Sequence, residues 1–280
     1  MAVVATESGR YLGKTRPEFF RVSAKFLRGE AMSSFPPMSG TILEHAAGTE
    51  IAEHRHPRGQ LAVVTRGTMA VVSAEGLWLA PPGRGIWVPP GVTHGARYSE
   101  ASALIQLLLA PELTDELPRT CQTIAVSSLL RELACEAARL PPDAAFQEDA
   151  LLMARLIVRQ AAPREEGPVL FVPYGRDPRL RRAVVFLVAH PGSTLNLPEL
   201  AAQAGASTRT LARLFVTETG MSLGRWREHL RIVAAVDRLT RGRSITQTAL
   251  ELGYRSPSAF TTMFTRLLGM PPGRLVKTLR

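Results

Sequence analysis

The chain has 280 residues, 45% of them hydrophobic and 21% charged, a length that suits two domains and a connector; its longest apolar run, residues 103–110, is interrupted by Gln106 and falls far short of the roughly 18 to 20 residues of a membrane helix. The first ten residues lack the basic and apolar regions of a secretory signal, and the two cysteines, Cys121 and Cys135, show no CxxC spacing, so buried or idle thiols in a reducing cytoplasm are expected. The net charge of +10 is unevenly placed: residues 1–167 hold 17 Lys and Arg against 18 Asp and Glu, whereas residues 168–280 hold 17 against 6, a footprint for a polyanion.

Residues 1–38 show no period and are expected to form an arm with a short strand or two. From Thr41 to Leu109 the pattern is short apolar runs, at 61–65, 69–73, 77–80, 86–88 and 104–109. Turns interrupt them at Arg66-Gly67, Glu75-Gly76, Pro81-Pro82-Gly83 and Pro89-Pro90-Gly91. Many short strands at this spacing predict an all-β barrel or sandwich. Beyond Pro118 the period becomes helical: Val126, Leu129, Leu130, Leu133, Ala137 and Leu140 form one stripe, ended by Pro141-Pro142. A second helix is expected over about 143–160. Its Phe146, Leu151, Leu152, Met153, Leu156, Ile157 and Val158 cover most of its circumference, so it needs burial by the barrel and first helix or by a second subunit. Both cysteines are placed in this helical connector. Residues 163–178 read as a linker rich in Pro, Gly and charge, and everything beyond as helix.

The last part of the chain contains an internal repeat. Ala201-Ala202-Gln203-Ala204-Gly205 returns 48 positions later as Ala249-Leu250-Glu251-Leu252-Gly253. Phe215, Gly220-Met221 and Gly224-Arg225 return 49 positions later as Phe264, Gly269-Met270 and Gly273-Arg274. Each copy reads as a helix ended by a glycine and a second helix capped by serine, Ser207 or Ser256, with Pro257 at the first helical position of the second copy. Helix, tight turn and helix form the unit whose second helix enters a major groove. In the first copy Arg209 and Arg213 share a face, opposite Leu211, Leu214 and Phe215, and are the leading base readers, with Thr208 at the helix start. In the second copy the outward residues are Ser258, Thr261 and Thr262, flanked by Arg255 and Arg266, better suited to phosphate oxygens or a thymine methyl. Trp226 is assigned to the core of the helix joining the units.

This repeat, with Asp177-Pro178-Arg179-Leu180 before it and Met270-Pro271-Pro272-Gly273-Arg274 at its end, resembles the DNA-binding region of the AraC/XylS family of transcription regulators. The resemblance implies seven helices, two recognition helices about one helical turn of DNA apart, and promoter DNA as partner, with RNA polymerase added if the protein activates. It also implies a cupin-like N-terminal sensor. The domains expected are therefore a cupin-like effector-sensing domain with its arm over 1–118, a helical connector and dimerisation element over 119–167, and a DNA-binding domain over 168–280.

Within the sensor region, Gly48, His54, His56, Gln60 and Gly67 match the spacing of the first cupin motif, with Gln60 where a glutamate usually stands. Gly83, Pro89, Gly91 and His94 match the second, with Tyr98 where asparagine is common. If His54 and His56 lie on one strand they share a face, and three imidazoles facing one cavity can bind a divalent metal. The neutral amide of Gln60 weakens that reading, and an apolar pocket for a small organic effector stands beside it. Trp78, Trp87 and Arg97 are expected to line or support that pocket; Arg58 and Arg84 either meet an anionic ligand or are solvated turn residues. Two other functions compete: a cupin metalloenzyme with an appended helical domain, which needs a fuller ligand set and leaves the basic repeat unused, and a nonspecific DNA-packaging protein, which has no use for a pocket.

Overall fold

A computed structural model of the chain describes residues 36–141, 148–162 and 170–278. The arm assigned to residues 1–38 lies outside them except for its last three residues, as do the start of the second connector helix, with Phe146, and the first part of the linker. Ten strands follow in chain order: β1 (Met38–His45), β2 (Thr49–His54), β3 (Gly59–Arg66), β4 (Met69–Ser73), β5 (Gly76–Ala80), β6 (Arg84–Val88), β7 (His94–Tyr98), β8 (Ser102–Leu109), β9 (Gln122–Ala125) and β10 (Phe171–Pro173). They form two antiparallel five-stranded sheets, ordered β1-β8-β3-β6-β9 and β10-β5-β4-β7-β2.

Strand alternation explains why so many of these strands read as unbroken apolar runs. In the first sheet Ala62, Val64, Ile86, Val88 and Leu104 point inward and join Met69, Val71, Trp78, Ala80, Ala96 and Tyr98 of the second sheet in one buried cluster. The intervening residues Leu61, Val63, Trp87, Ile105, Leu107 and Leu109 point outward and are buried as well, beneath helices α1 (Ser128–Arg139) and α2 (Glu148–Ala161). A strand covered on both faces needs apolar side chains at every position. At Gly40 the helix lies so close to β1 that a Cβ there would sit 2.7 Å from the backbone of Ala137.

The C-terminal half is all helix after β10: α3 (Pro178–Ala189), α4 (Leu197–Ala204), α5 (Thr208–Thr219), α6 (Leu223–Thr240), α7 (Ile245–Glu251), α8 (Pro257–Leu268) and α9 (Pro272–Thr278). Asp177 caps α3, its carboxylate accepting from the amide of Arg179 at 2.8 Å, and Pro178 takes the first turn, where its missing N–H costs nothing. Phe215, Trp226, Phe260 and Phe264 are fully buried in the helical core, and Trp226 Nε1 donates to the carbonyl of Pro173 at 2.9 Å. Trp226 is thus core, as its spacing suggested.

That core does not stop at the helices. Leu79, Val172 and Tyr174 belong to it, with Ala70, Val72 and Leu77 packed alongside, so the outer face of the second sheet is covered by the helical half. Pro36–Arg280 accordingly form one compact unit. The structure departs from the sequence reading at β9 and β10, four and three residues long, which lie in stretches assigned to the helical connector and the linker. Neither is long enough to carry a period. Each is a strand because it completes the edge of a sheet already built, β9 on β6 and β10 on β5. Cys121, placed in the helical connector by its sequence position, instead precedes β9 and is buried in the barrel, while Cys135 lies in α1.

Candidate nucleic-acid interface and histidine pocket

The two repeat copies fold alike, down to their hydrogen bonds. In the first, Gly205 (φ 65°) donates to Ala202 and Ala206 to Ala201; in the second, Gly253 (φ 77°) donates to Leu250 and Tyr254 to Ala249, at 2.9 to 3.1 Å throughout. This pairing closes the end of a helix around a left-handed residue, a conformation glycine adopts without a Cβ penalty. Ser207 and Ser256 then cap α5 and α8, each hydroxyl accepting from the amide three residues on at 3.2 Å. Both helices end at glycines, Gly220 and Gly269. Helix α6, 18 residues and therefore about 27 Å long, joins the units.

Burial divides each second helix into a packed and an open side. In α5 Leu211, Leu214 and Phe215 are buried, while Thr208, Arg209 and Arg213 are exposed, and neither arginine guanidinium has an ion pair or hydrogen bond among the described residues. Val216, 55% exposed, extends the same open side. The sequence reading passed over it because valine is ordinarily a core residue, although its spacing of three from Arg213 places it beside that arginine. In α8 Phe260, Met263 and Phe264 face inward, Ser258 and Thr262 are exposed, Thr261 is half-buried, and Arg255 is exposed just before the cap. Arg266 differs from the others: it pairs with Glu228 of α6 at 2.9 Å. The hydroxyl of Thr262 donates to the carbonyl of Ser258 at 3.0 Å.

At one end of the barrel, His54, His56 and His94 each bring a ring nitrogen within 4.8 Å of the others. The shared strand face expected for His54 and His56 is not how they meet. β2 ends at His54, and His56 lies in the turn before β3; the pairing of β2 with β7 shifts register between Ile51 and His54, which sets His54 opposite His94. His94 and Gln60 occupy the inward-facing positions of β7 and β3, and both are buried. Ser73 of β4 is buried opposite His94.

Each of the three rings is held by its Nδ1 against a backbone carbonyl: His54 on Ala52 at 2.9 Å, His56 on Arg58 at 2.6 Å and His94 on Val92 at 2.9 Å. A carbonyl only accepts, so Nδ1 carries the proton in a neutral ring and Nε2 keeps its lone pair. Burial above all pushes the pKa of His94 down to about 4, aided by the charges of His54 and His56 and opposed by the bond to Val92. Burial likewise lowers that of His56, against its bonds to Arg58 and Gln60. Both rings are therefore neutral near pH 7. The Gln60 side-chain amide meets His56 Nε2 at 3.0 Å through Oε1; with the His56 proton on Nδ1, a hydrogen bond there requires the amide turned end for end, so that its NH2 donates to Nε2. His94 Nε2 is buried with no partner among the described residues.

Two of the three residues expected to line or support the pocket face away from the barrel interior. Trp87 faces outward under the connector helices and donates to the carbonyl of Pro118 at 2.8 Å. Arg97 also alternates outward, where it pairs with Glu50 at 3.6 Å. Trp78 does point into the barrel, stacked on Phe171 at 4.5 Å. Arg58 is not a solvated turn residue: 4% exposed, it donates to Ser39 Oγ and to the carbonyls of Pro36 and Leu108.

Two family models match the chain, an AraC-like ligand binding domain over residues 37–166 and a helix-turn-helix domain over residues 200–278. The HTH-type transcriptional regulator NimR of Escherichia coli K12 is 32% identical over 240 residues, covering 84% of this chain and 86% of NimR. The HTH-type transcriptional regulator RipA of Corynebacterium diphtheriae is 32% identical over 124 residues, 42% of this chain and 37% of RipA. Among solved structures, ToxT of Vibrio cholerae with a bound unsaturated fatty acid aligns over 85% of this chain and 94% of its own at 10% identity, with a TM-score of 0.37. Among the described residues no helix is long and apolar enough to cross a membrane.

Proposed function

Because the chain belongs to the AraC/XylS family of helix-turn-helix transcription regulators, with a cupin-like ligand-binding domain at its N-terminal end, we propose that it reads specific promoter sites with α5 and α8 and that an effector taken at the histidine end of the barrel sets that reading. The observation that carries this is the open side of α5. Arg209 and Arg213 stand one turn apart, unpaired among the described residues and beside an exposed Val216, in a region of net charge +11. Arginine in a major groove grips guanine O6 and N7 with two bonds, and valine suits a thymine methyl. Arg255, Ser258, Thr261 and Thr262 on and before α8 position the second unit on phosphates, where they carry less sequence information. Relatives of this chain carry the names of transcription regulators rather than enzymes, in keeping with a binding role for the barrel.

Selection of bound duplexes from a random library by the full chain tests this. The expected outcome is a site with two read segments in successive major grooves, bound with an affinity that falls steeply with salt. Equal retention of every sequence would overturn it. The connector supplies a second element of the proposal, a homodimer through α1 and α2. Leu129, Leu152 and Leu156 are 49%, 55% and 39% exposed there, large apolar groups that a second subunit would cover. Sedimentation at micromolar concentration checks it, and a strict monomer with and without DNA removes it.

A further inference from the structure

We infer that Arg231 of α6 and the turn at residues 190–193 are positioning residues that lock the two helix-turn-helix units at one separation, and so determine how many base pairs part the two segments the protein reads. This deepens the proposal that α5 and α8 each enter a major groove, and rests on it. A single joining helix cannot set that distance alone. α6 fixes how far apart the units stand along its axis, but a unit carried on one rod can still roll about it or follow its bending. A second contact away from the axis removes that freedom.

The loop between α3 and α4 supplies the contact. It belongs to the first unit, yet its turn runs against the end of α7 and the glycine turn of the second. A Cβ at Gly192 would overlap the carbonyl oxygen of Glu251, and one at Gly253 would stand 2.8 Å from the carbonyl oxygen of Gly192. The two backbones therefore meet with no side chain between them, an approach that glycine on each side permits. Arg231 closes the junction from α6. Its Nε donates to the carbonyl of Pro191 at 3.3 Å and its Nη2 to that of Ser193 at 3.5 Å, while its guanidinium lies over the ring of Tyr254, 5.2 Å from the centroid. Tyr254 follows Gly253, and its ring meets that of Phe260 in α8 edge-on at 5.5 Å. One half-buried side chain thus grips a turn of the first unit and a residue packed on the second recognition helix. Arg227, one turn earlier on the same face of α6, holds the far end of the loop by donating to the carbonyl of Leu195.

DNA geometry makes this rigidity count. One added base pair moves the second segment by about 3.4 Å and turns it by about 35°. Units free to roll tolerate that change; locked units do not.

The test measures the full chain on four duplexes: the selected site, that site with one base pair inserted or one removed between the read segments, and that site with one read base changed. The wild type should bind the two respaced duplexes at least about tenfold more weakly than the selected site. Arg231→Ala frees the turn, and Gly192→Ala drives it off Glu251. Each should shrink the respacing penalty by about threefold or more and leave the base-change penalty as it is. Arg231→Lys keeps a cation over Tyr254 and should recover part of the penalty. Should Gly192→Ala not melt cooperatively, Arg231→Ala carries the test. A respacing penalty unchanged in Arg231→Ala overturns the inference, and so does an equal loss on all four duplexes, which marks a merely structural residue. A wild type that selects bases but tolerates respacing sinks this inference alone, whereas one that binds all four duplexes alike sinks the reading by α5 and α8 with it.

Discussion

The hydroxyl of Thr68, in the turn between β3 and β4, lies 2.8 Å from that of Thr240, the last residue of the helix joining the two DNA-binding units. Thr68 also donates to Glu100 at 2.6 Å, and Ser99 donates to Asp237, one turn earlier in α6. Ser99 and Glu100 follow directly on β7, whose first residue is His94. A ligand bound at His94 would therefore meet a strand whose other end is fixed to the helix that spaces the recognition units. Removing both contacts with Thr68→Ala and Ser99→Ala should raise amide exchange in residues 236–241 and 98–102 while leaving α1 unchanged. Each bond contributes about 0.5 to 1.5 kcal/mol. Unaltered exchange at both segments would show that the apolar packing alone holds the halves in place.

The guanidiniums of the recognition surface are not equivalent. Arg209→Ala and Arg213→Ala should each cost about 1 to 3 kcal/mol on a selected duplex and relax preference at one base pair. Arg266 is already paired with Glu228, so Arg266→Ala should cost less and leave the preferred sequence unchanged. Binding measured on the selected duplex and on single-base variants of it separates the two classes. Full sequence preference in Arg213→Ala would show that this arginine does not read a base.

The two turn glycines should differ although their conformations match. A Cβ at Gly205 meets only the end of the Arg182 side chain at 3.2 Å, whereas at Gly253 it meets the carbonyl oxygen of Gly192 at 2.8 Å, where two backbone segments pass. Gly205→Ala should cost about 1 to 2 kcal/mol for the left-handed conformation alone. Gly253→Ala should cost more, because the turn after α3 must also shift. Urea denaturation of both variants measures the difference, and equal losses would contradict this packing.

Acid should loosen the junction through His229. Burial lowers its pKa from the usual 6.5, against a bond to the backbone of Phe171 in β10. A base with a depressed folded pKa binds fewer protons folded than unfolded, so its contribution favours the native state above 6.5 and is lost as the pH falls below that value. Melting temperatures at pH 7.5 and pH 5 should fall less in His229→Gln than in the wild type. The same fall in both would place the acid sensitivity elsewhere.

The helical half was legible in the sequence because its information is local. Gly205 with Ser207, and Gly253 with Ser256, are a helix stop and a helix start within a few residues, and the repeat gave each pair a second witness. The strands of the barrel were legible from their turns, since Pro89-Pro90-Gly91 and its counterparts interrupt the ladder wherever they fall. The convergence of the three histidines was foreseen from motif spacing, yet for a wrong local reason: His56 stands beyond the strand, and pairing across to β7 assembles the cluster. What escaped notice depends on distant partners. Trp87 and Arg97 face outward because of registers set by other strands, Thr68 meets Thr240 across 172 positions, and β10 is a strand only because β5 offers an edge.

That last strand sets a timetable. Phe171 pairs with Trp78, 93 positions earlier in the chain, so at roughly 5 to 20 residues per second a ribosome needs about 5 to 20 seconds to deliver the partner of β5 after β5 itself. During that interval the edge of β5 and the outward Leu77 and Leu79 have neither their strand nor their covering helices. The nascent barrel thus carries an open strand edge and an uncovered apolar sheet face until the first residues of the helical half emerge.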